Sequence, residues 1–450
     1  MSGAASGRFW CELAFVDGLV QPGVAIEIED GRFRSVEAGS KPDGAHRLEG
    51  LTIPGMANAH SHAFHRALRS RTQAGRGTFW TWRDLMYRAA DRLEPDTYFR
   101  LARATFAEMM LAGITCVGEF HYLHHASDGT PYADPNEMGE ALLAAAAEAG
   151  LRITLLDTLY LHGGLDATGY RAPHDAQRRF ADGTADAWAQ RVDQLRPAPT
   201  QRIGAAIHSV RAVDPGAMRT VADWAASVGA PIHAHVSEQV AENEHCSAHH
   251  GRTPVGVFDD AGVLSSRFAA VHATHLSEGD ILTLAVAGST VAMCPTTERD
   301  LGDGIGPTDR FRAERIAMAI GSDSHAVIDL LEEARALELD ERLRSQQRGI
   351  HPATDLLAMA TLNGHRSLGW DDAGAISVGM RADLVSLSLT SVRTAGASAA
   401  TALEAAVFAA TSADVTDVIV DGRHVVVERR HAGIDVAAEL AASIEKLMDA

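Results

Sequence analysis

Lysine is nearly missing. It occurs only at Lys41 and Lys446, near the two ends, so the 40 basic residues of this 450-residue chain are almost all arginine. That gap excludes a phosphate-binding Gly-x-x-x-x-Gly-Lys loop, a Schiff-base lysine in the body of the chain and a carbamylated lysine bridging two metals. Cysteine is scarce too: Cys11, Cys116, Cys246 and Cys294 stand far apart with no Cys-x-x-Cys pair. This argues against a disulfide framework or a thiolate zinc site and leaves buried thiols as the simplest expectation. No apolar run reaches the roughly eighteen residues of a membrane span, and no basic stretch leads into an apolar one at the N-terminus. Neither membrane nor secretion is expected, and the cytoplasm is the expected address. A positive field is also lacking. The formal charge of -19 speaks against nucleic acid or an anionic membrane surface as a partner, and any anionic substrate must be met by local arginines.

What is present is ample for a large core and a second module, since 46% of the residues are hydrophobic. Trp10 to Val16, Val24 to Glu29 and Phe33 to Val36 read as short strands separated by Asp17-Gly18 and Asp30-Gly31. Ala382 to Leu389, Ala405 to Phe408 and Val415 to Val427 repeat that character near the other end. Residues 1–52 and 371–430 are therefore expected to form a small discontinuous β-sandwich domain, with a C-terminal helix over 431–450. That helix places Val436, Leu440, Ile444 and Leu447 at helical spacing, suited to packing on its own chain or on a second subunit of a homodimer.

Between these ends, strand-like runs alternate with helix-like ones. Asp96 to Leu111 stops at Gly113 before Ile114 to Phe120; Glu137 to Glu148 stops at Gly150 before Leu151 to Leu156; Pro215 to Ser227 stops at Gly229 before Pro231 to Val236. Further strands are expected at Arg202 to Ile207, Phe268 to His272, Thr290 to Cys294 and Ile316 to Ile320, and a first one from Leu51. Residues 53–370 thus hold eight strand–helix units, the pattern of a (β/α)8 TIM-like barrel. A doubly wound open sheet would not bring eight strand ends to one site.

Polar residues gather at those ends. His60 and His62 share a face because side chains alternate along a strand. Glu119, His121 and Tyr122 end the second strand, His208 and Arg211 follow the fourth, and His233, His235 and Glu238 belong to the fifth. His272 and His275 belong to the sixth, and Asp323, Ser324 and His325 to the eighth. Scattered histidines would not choose strand ends, and neutral imidazole suits Zn, Fe, Ni or Cu. The fourth strand offers His208 and no lysine, which favours one metal over two. Neither His-x-Glu with Pro-Cys-x-x-Cys nor His-Glu-x-x-His occurs.

Pro54-Gly55-Met56-Ala57-Asn58-Ala59-His60-Ser61-His62, the run His233-Ala234-His235 with Glu238 three residues on, His272, and Gly321-Ser322-Asp323 together resemble the amidohydrolase superfamily in its deaminase branch. The likeness spans nearly the whole chain. It implies that His60, His62, His235 and Asp323 ligate one divalent metal, zinc or iron, that Glu238 shuttles a proton, and that His272 and Asp323 hold the nucleophilic water in line. Three imidazoles and a carboxylate leave one residual positive charge on a dipositive ion, enough for a bound water to ionise near about pH 7. His233 shares a face with His235 and is a candidate supporting donor.

Phe79 to Tyr87, Glu119 to His125, Gly129 to Tyr132 and His208 to Val213 resemble the formimidoylglutamate deiminase family. That family converts N-formimino-L-glutamate to N-formyl-L-glutamate and ammonia in histidine degradation. The resemblance implies a small dianionic substrate, with Arg83, Tyr122 and Arg211 binding its carboxylates and His208 contacting it near the metal. His65 stands at a substrate-contacting position where that family has glutamine; histidine also donates to carboxylates but is bulkier and titratable. Forked guanidinium donors match carboxylates bidentately. Plainer readings stand beside these: Trp80, Trp82 and Tyr87 as the core of an amphipathic helix, Arg211 as a structural ion-pair partner, and Gly302 to Gly306 as a flexible loop. His124, His125, His249 and His250 read as surface residues. Two other functions remain open, a deaminase of a neutral heterocycle such as guanine and a catalytically inactive scaffold.

Overall fold

The computed structural model describes residues 6–73 and 75–448. Residues 1–5 and 449–450, the outer limits of the expected β domain and C-terminal helix, lie outside the described residues. The chain opens with β1 (Gly7–Val16), β2 (Leu19–Glu29), β3 (Arg32–Glu37) and β4 (His46–Pro54). It then runs through β5 (Met56–Ser61), β6 (Ile114–His121) and β7 (Arg152–Leu159), a small hairpin of β8 (Gly164–Asp166) and β9 (Gly169–Arg171), and β10 (Gln201–Ile207). After these come β11 (Ile232–Val236), β12 (Phe268–His272), β13 (Thr290–Met293) and β14 (Ala317–Ile320). It closes with β15 (Leu384–Leu387), β16 (Val415–Val420), β17 (Arg423–Val427) and β18 (Arg430–His431).

β5, β6, β7 and β10 to β14 form one parallel sheet in sequence order. Its edges meet: Ser61 bridges Asp323, the Asp323 amide donates to the His60 carbonyl at 3.0 Å, and β5 is thereby joined to the segment after β14. Asn58 fastens the same seam, donating to Ser322 Oγ at 2.7 Å and accepting from the Ser322 amide at 2.9 Å. At Gly321 a Cβ would lie 2.7 Å from the His60 amide nitrogen, so the closed barrel admits no side chain there. Helices alternate with the strands and cover the outside, among them α1 (Phe79–Asp91), α2 (Pro95–Leu111), α3 (Glu137–Ala149), α4 (Ala185–Val192), α5 (Pro215–Val228) and α6 (Val240–His250). The barrel strands are buried nearly end to end, as parallel strands covered on both faces must be.

The two chain ends build a separate eight-stranded sheet, ordered β18-β17-β16-β15-β4-β1-β2-β3. It curls until Arg32 at the start of β3 bridges Arg381, just before β15, and it encloses its own core of Phe9, Val24, Ile26, Phe33, Leu384 and Ile419. The C-terminal helix, Val436–Met448, packs on its own chain: Arg103 of α2 pairs with Glu439 at 2.8 Å, and Arg92 donates to the Leu447 carbonyl at 3.0 Å.

Two strand assignments from sequence are corrected. Leu51 and Ile53 belong to β4 of the end sheet, opposite Leu387 and Val385, and the first barrel strand starts at Met56. The chain changes sheets at Gly55, where a Cβ would lie 2.3 Å from Thr115 Oγ1; two short apolar strands in line read as one when only the pattern is visible. Ala405 to Phe408 is part of a helix, Ala402–Phe408, with Ala402, Leu403, Ala406 and Val407 buried on one face. Four apolar residues are too few to show a period.

The barrel's lower end is sealed onto the end sheet by charge. Arg152, fully buried at the start of β7, pairs with Asp383 and, at 2.7 Å, with Asp421. Its guanidinium lies 5.2 Å from the Trp370 ring, with Arg202 at 4.3 Å and Arg381 at 4.9 Å. Burial disfavours the Arg152 cation, but Asp383 and Asp421 outweigh it and hold the group charged.

Candidate metal centre and active site

Four donors converge where β5, β11 and the turn after β14 end. His60 Nε2 lies 3.2 Å from His235 Nε2 and 3.4 Å from Asp323 Oδ1, and His62 Nε2 is also 3.4 Å from Asp323 Oδ1. Donors about 2.0–2.2 Å from one tetrahedral ion stand roughly 3.4 Å apart, so the set fits a single divalent cation. The far side of two rings is already committed: His62 Nδ1 bonds the Phe120 carbonyl at 2.9 Å and His235 Nδ1 the His208 carbonyl at 2.8 Å. Each Nδ1 is therefore the protonated one, which leaves Nε2 a bare lone pair aimed inward. Burial pushes the pKa values of His60, His62 and His235 down, so the rings are neutral donors. Burial opposes ionisation of Asp323, but His60 and His272 outweigh it, and the carboxylate stays charged. Soft donors are absent, and this imidazole and carboxylate mixture suits zinc or iron.

Beside the four donors, Glu238 Oε1 and Asp323 Oδ2 flank His272 Nε2 at 3.9 and 3.8 Å, while His272 Nδ1 contacts Glu298 Oε1 at 3.3 Å. Burial works against a charged His272, yet Glu238, Glu298 and Asp323 push its pKa up to about 10. His272, Asp323 and Ser237, which precedes Glu238, all hold positive φ values of 67°, 39° and 52°. Such left-handed turns at strand ends are strained for side-chain-bearing residues, and here they swing functional groups off the strands and over the barrel mouth.

A pocket opens above these groups and takes in His62, His235, Glu238, His272 and Asp323. The sequence-predicted contacts line it as well: His65, Arg83, Tyr122, His208 and Arg211. The Tyr122 hydroxyl lies 3.1 Å from His65 Nε2, and burial pushes His65 down to about 3. The His208 ring stands 5.2 Å from that of His235 and 4.7 Å from Tyr160. Arg211 Nε is 3.0 Å from Glu242 and Nη2 is 3.5 Å from Glu238. Arg83 stacks over Trp80 at 4.4 Å and Tyr87 at 5.5 Å, its Nε is buried without a hydrogen bond, and it forms no ion pair among the described residues. The helix reading of Phe79 to Tyr87 holds: Trp82 and Tyr87 are half-buried against the core and also wall the pocket, while Trp80, 45% exposed, lines the pocket outside the core.

Other histidines are sorted by depth. His233, one inward-facing position below His235, bonds the Ser367 carbonyl at 2.9 Å and takes no part in the donor cluster. His124 and His125 are not surface residues: both are buried, His124 on the Thr158 carbonyl at 2.9 Å and His125 3.5 Å from Asp182. They belong to a network in which Arg191 of α4 joins Asp157 of β7 to Asp182, behind the loop that carries Tyr122. The β6–α3 connection folds inward there, which a polar stretch such as His-His-Ala-Ser-Asp does not reveal. His249 is exposed at the end of α6. Glu242, Glu298, Tyr160 and Gln177 were not foreseen. Gln177, donating to Tyr160 at 2.7 Å and Tyr87 at 3.1 Å, comes from a short 3-10 helix, Asp175–Phe180, too short to show a period; Glu242 had one signal, its place four residues after Glu238 in the first turn of α6.

Imidazole and carboxylate donors suited to a divalent metal at a barrel mouth, with a further carboxylate and imidazole beside them and a pocket above, are the arrangement of a barrel metallohydrolase. The model of the Amidohydrolase family matches residues 51–425, and the chain belongs to that family, as a metal-dependent hydrolytic enzyme acting on C–N bonds. It is 38% identical to a formimidoylglutamate deiminase of Pseudomonas aeruginosa over 92% of this chain and 93% of that one. It is 29% identical to a 5-methylthioadenosine/S-adenosylhomocysteine deaminase of Moorella thermoacetica over 97% of each. The crystal structure of an amidohydrolase from Brucella melitensis superposes with a TM-score of 0.90 at 33% identity, covering 98% of this chain and all of that one. Among the described residues no helix is long and apolar enough to cross a membrane.

Proposed function

We propose that this enzyme hydrolyses the formimino C=N bond of N-formimino-L-glutamate, giving N-formyl-L-glutamate and ammonia, as in histidine degradation, with one zinc ion as cofactor and iron as the alternative. The observation that carries the reading is Arg83: a guanidinium lining the pocket with no carboxylate partner among the described residues, in the same pocket as Arg211. Two guanidinium groups over a metal centre call for a substrate with two carboxylates.

His60, His62, His235 and Asp323 hold the cation in this reading. A divalent cation there lowers the pKa of water, so that a hydroxide nucleophile is available near neutral pH. Arg83, Arg211, Tyr122 and His65 fix the carboxylates, and His208 abuts the formimino group, which places its carbon over the barrel mouth. Glu238 takes one proton from the attacking water and delivers it to the imino nitrogen as the C–O bond forms. It then passes the remaining hydroxyl proton to the same nitrogen, which departs as ammonia as the C–N bond breaks and the formyl C=O forms. His272, with Asp323, keeps the nucleophile in line, and Glu298 fixes the ring of His272. The aromatic wall of Phe79, Trp80, Trp82 and Tyr87 favours a second reading, deamination of a flat heterocycle, the substrate type in the name of the Moorella relative.

The test is ammonia release by metal-replete enzyme from N-formimino-L-glutamate, with guanine and N-formimino-L-aspartate in parallel. Release from the glutamate derivative, abolished in Glu238→Gln with metal content retained, is the expected result. Bound metal with release only from guanine would sink the deiminase reading in favour of the heterocycle, and a metal-free, inactive chain would leave a scaffold.

A further inference from the structure

Glu242 has no place in the chemistry above, yet it is wholly buried in the first turn of α6, four residues beyond Glu238. Its two oxygens do different things. Oε1 accepts from the amide of Ser237 at 2.9 Å, and Ser237 is the left-handed residue that turns Glu238 out of β11 over the barrel mouth. Oε2 lies 3.0 Å from Arg211 Nε. That contact is an ion pair and not a hydrogen bond, since Arg211 Nε and Glu242 Oε2 are both buried without a hydrogen-bond partner. Arg211 Nη2, the terminal nitrogen on the same edge as Nε, reaches Glu238 Oε2 at 3.5 Å. A single guanidinium at the pocket wall therefore contacts both the proton-shuttling carboxylate and a second, wholly buried one. Burial disfavours the Arg211 cation, but Glu242 and then Glu238 keep it charged.

We propose that Glu242 is a positioning residue that divides Arg211 between Glu238 and the substrate carboxylate. With the charge of Glu242 at its Nε edge, Arg211 holds Glu238 loosely, at 3.5 Å and not at a full hydrogen-bond distance. A carboxylate arriving in the pocket takes the Nη edge, and Glu238 is released for proton transfer. Without the Glu242 charge, its repulsion of the two remaining anions and its competition for the guanidinium are lost, so that the substrate carboxylate and Glu238 are both held more tightly at Arg211. The inference rests on the reading that Arg211 binds a substrate carboxylate.

Glu242→Gln separates this from a merely structural role, because the amide oxygen still accepts from Ser237 while the charge is gone. The measurement is binding of glutarate by calorimetry, a non-reacting dicarboxylate, alongside kcat and KM. The expected result is a roughly two- to tenfold lower Kd for glutarate together with a kcat lower by a similar factor, both vanishing in an Arg211→Ala background, since the coupling runs through that residue. Weaker glutarate binding in the variant, or unchanged kcat and Kd, would overturn the proposal. So would an equal effect of Glu242→Gln with and without Arg211, and a thermal scan of each variant guards against misfolding as the cause. Binding of glutarate does not depend on the formimino reaction. If the wild type binds glutarate but releases no ammonia from N-formimino-L-glutamate, the assigned reaction fails while the division of Arg211 remains under test.

Discussion

The two ends of the barrel use arginine in opposite ways. At the lower end Arg152 has Asp383 and Asp421 against it, is overlain by Trp370, and is fully buried. At the upper end Arg83 has aromatic rings on it but, among the described residues, no carboxylate, and Arg211 shares itself between two carboxylates at 3.0 and 3.5 Å. A buried charge is tolerable only when it is neutralised. The lower cluster satisfies that condition within the chain and works as a fastener between barrel and end sheet. The upper one leaves cationic capacity for a ligand to take up. Arginine content alone says nothing about which end is which.

The contrast breaks most visibly if the chemistry is removed. Glu238→Gln is expected to lower kcat roughly 10²- to 10⁴-fold with the metal retained, while the unfolding transition stays in place. A stability loss of the same rank as the activity loss would mean that the upper end is structural too. Next, Arg152→Ala leaves Asp383 and Asp421 facing each other in the interior and should cost about 3–5 kcal/mol of stability by denaturant titration. Activity per folded molecule should hardly change; a selective loss of kcat at normal stability would erase the distinction between the ends. Third, Arg83→Ala should raise KM for the dianionic substrate and lower kcat/KM by about 2 kcal/mol, roughly thirtyfold, with stability untouched because no internal carboxylate loses its partner. An unaltered KM would remove Arg83 from the substrate site.

The fourth effect concerns pH. Glu119, buried under the seam with Ser61 Oγ and the Ala63 amide at 2.6 Å, is pushed by burial from 4.5 up to about 8. A carboxyl with a raised pKa in the folded state binds its proton more tightly there than in the unfolded chain. Stability is therefore highest below pH 4.5, falls as pH rises toward about 8, and is flat above, with a one-proton slope of at most about 1.4 kcal/mol per pH unit. Subtracting the stability curve of Glu119→Gln from that of wild type isolates this component. A difference curve with no slope between those values would show that Glu119 is ionised in the fold.

Much of the site was legible because its chemistry is written in short motifs. His60 and His62 had to share a face once Met56 to Ser61 was a strand, and His235 with Glu238 carried the same logic at the fifth strand. The end of the first strand was therefore clear while its start was not, since Leu51 and Ile53 continue the apolar run across Gly55 into another sheet. His124 and His125 were misplaced for a related reason: burial of a polar pair depends on Asp182 and the Thr158 carbonyl, which come from elsewhere in the chain. Glu298 and Gln177 had no local signal at all, because what they touch is distant in sequence.

By itself, then, the sequence determined which donor types exist, that they sit at strand ends, and that no lysine stands in the body of the chain. These are properties of composition and of the period of two along a strand, and they need no partner. Tertiary structure decided which carboxylate meets which arginine. Arg152, Arg83 and Arg211 are the same residue type, and their difference lies in whether the closed barrel brings Asp383 and Asp421, aromatic rings, or Glu238 and Glu242 within a few ångströms. Coulomb energy and desolvation depend on those distances, and distances between residues far apart in the chain are set only when the barrel closes.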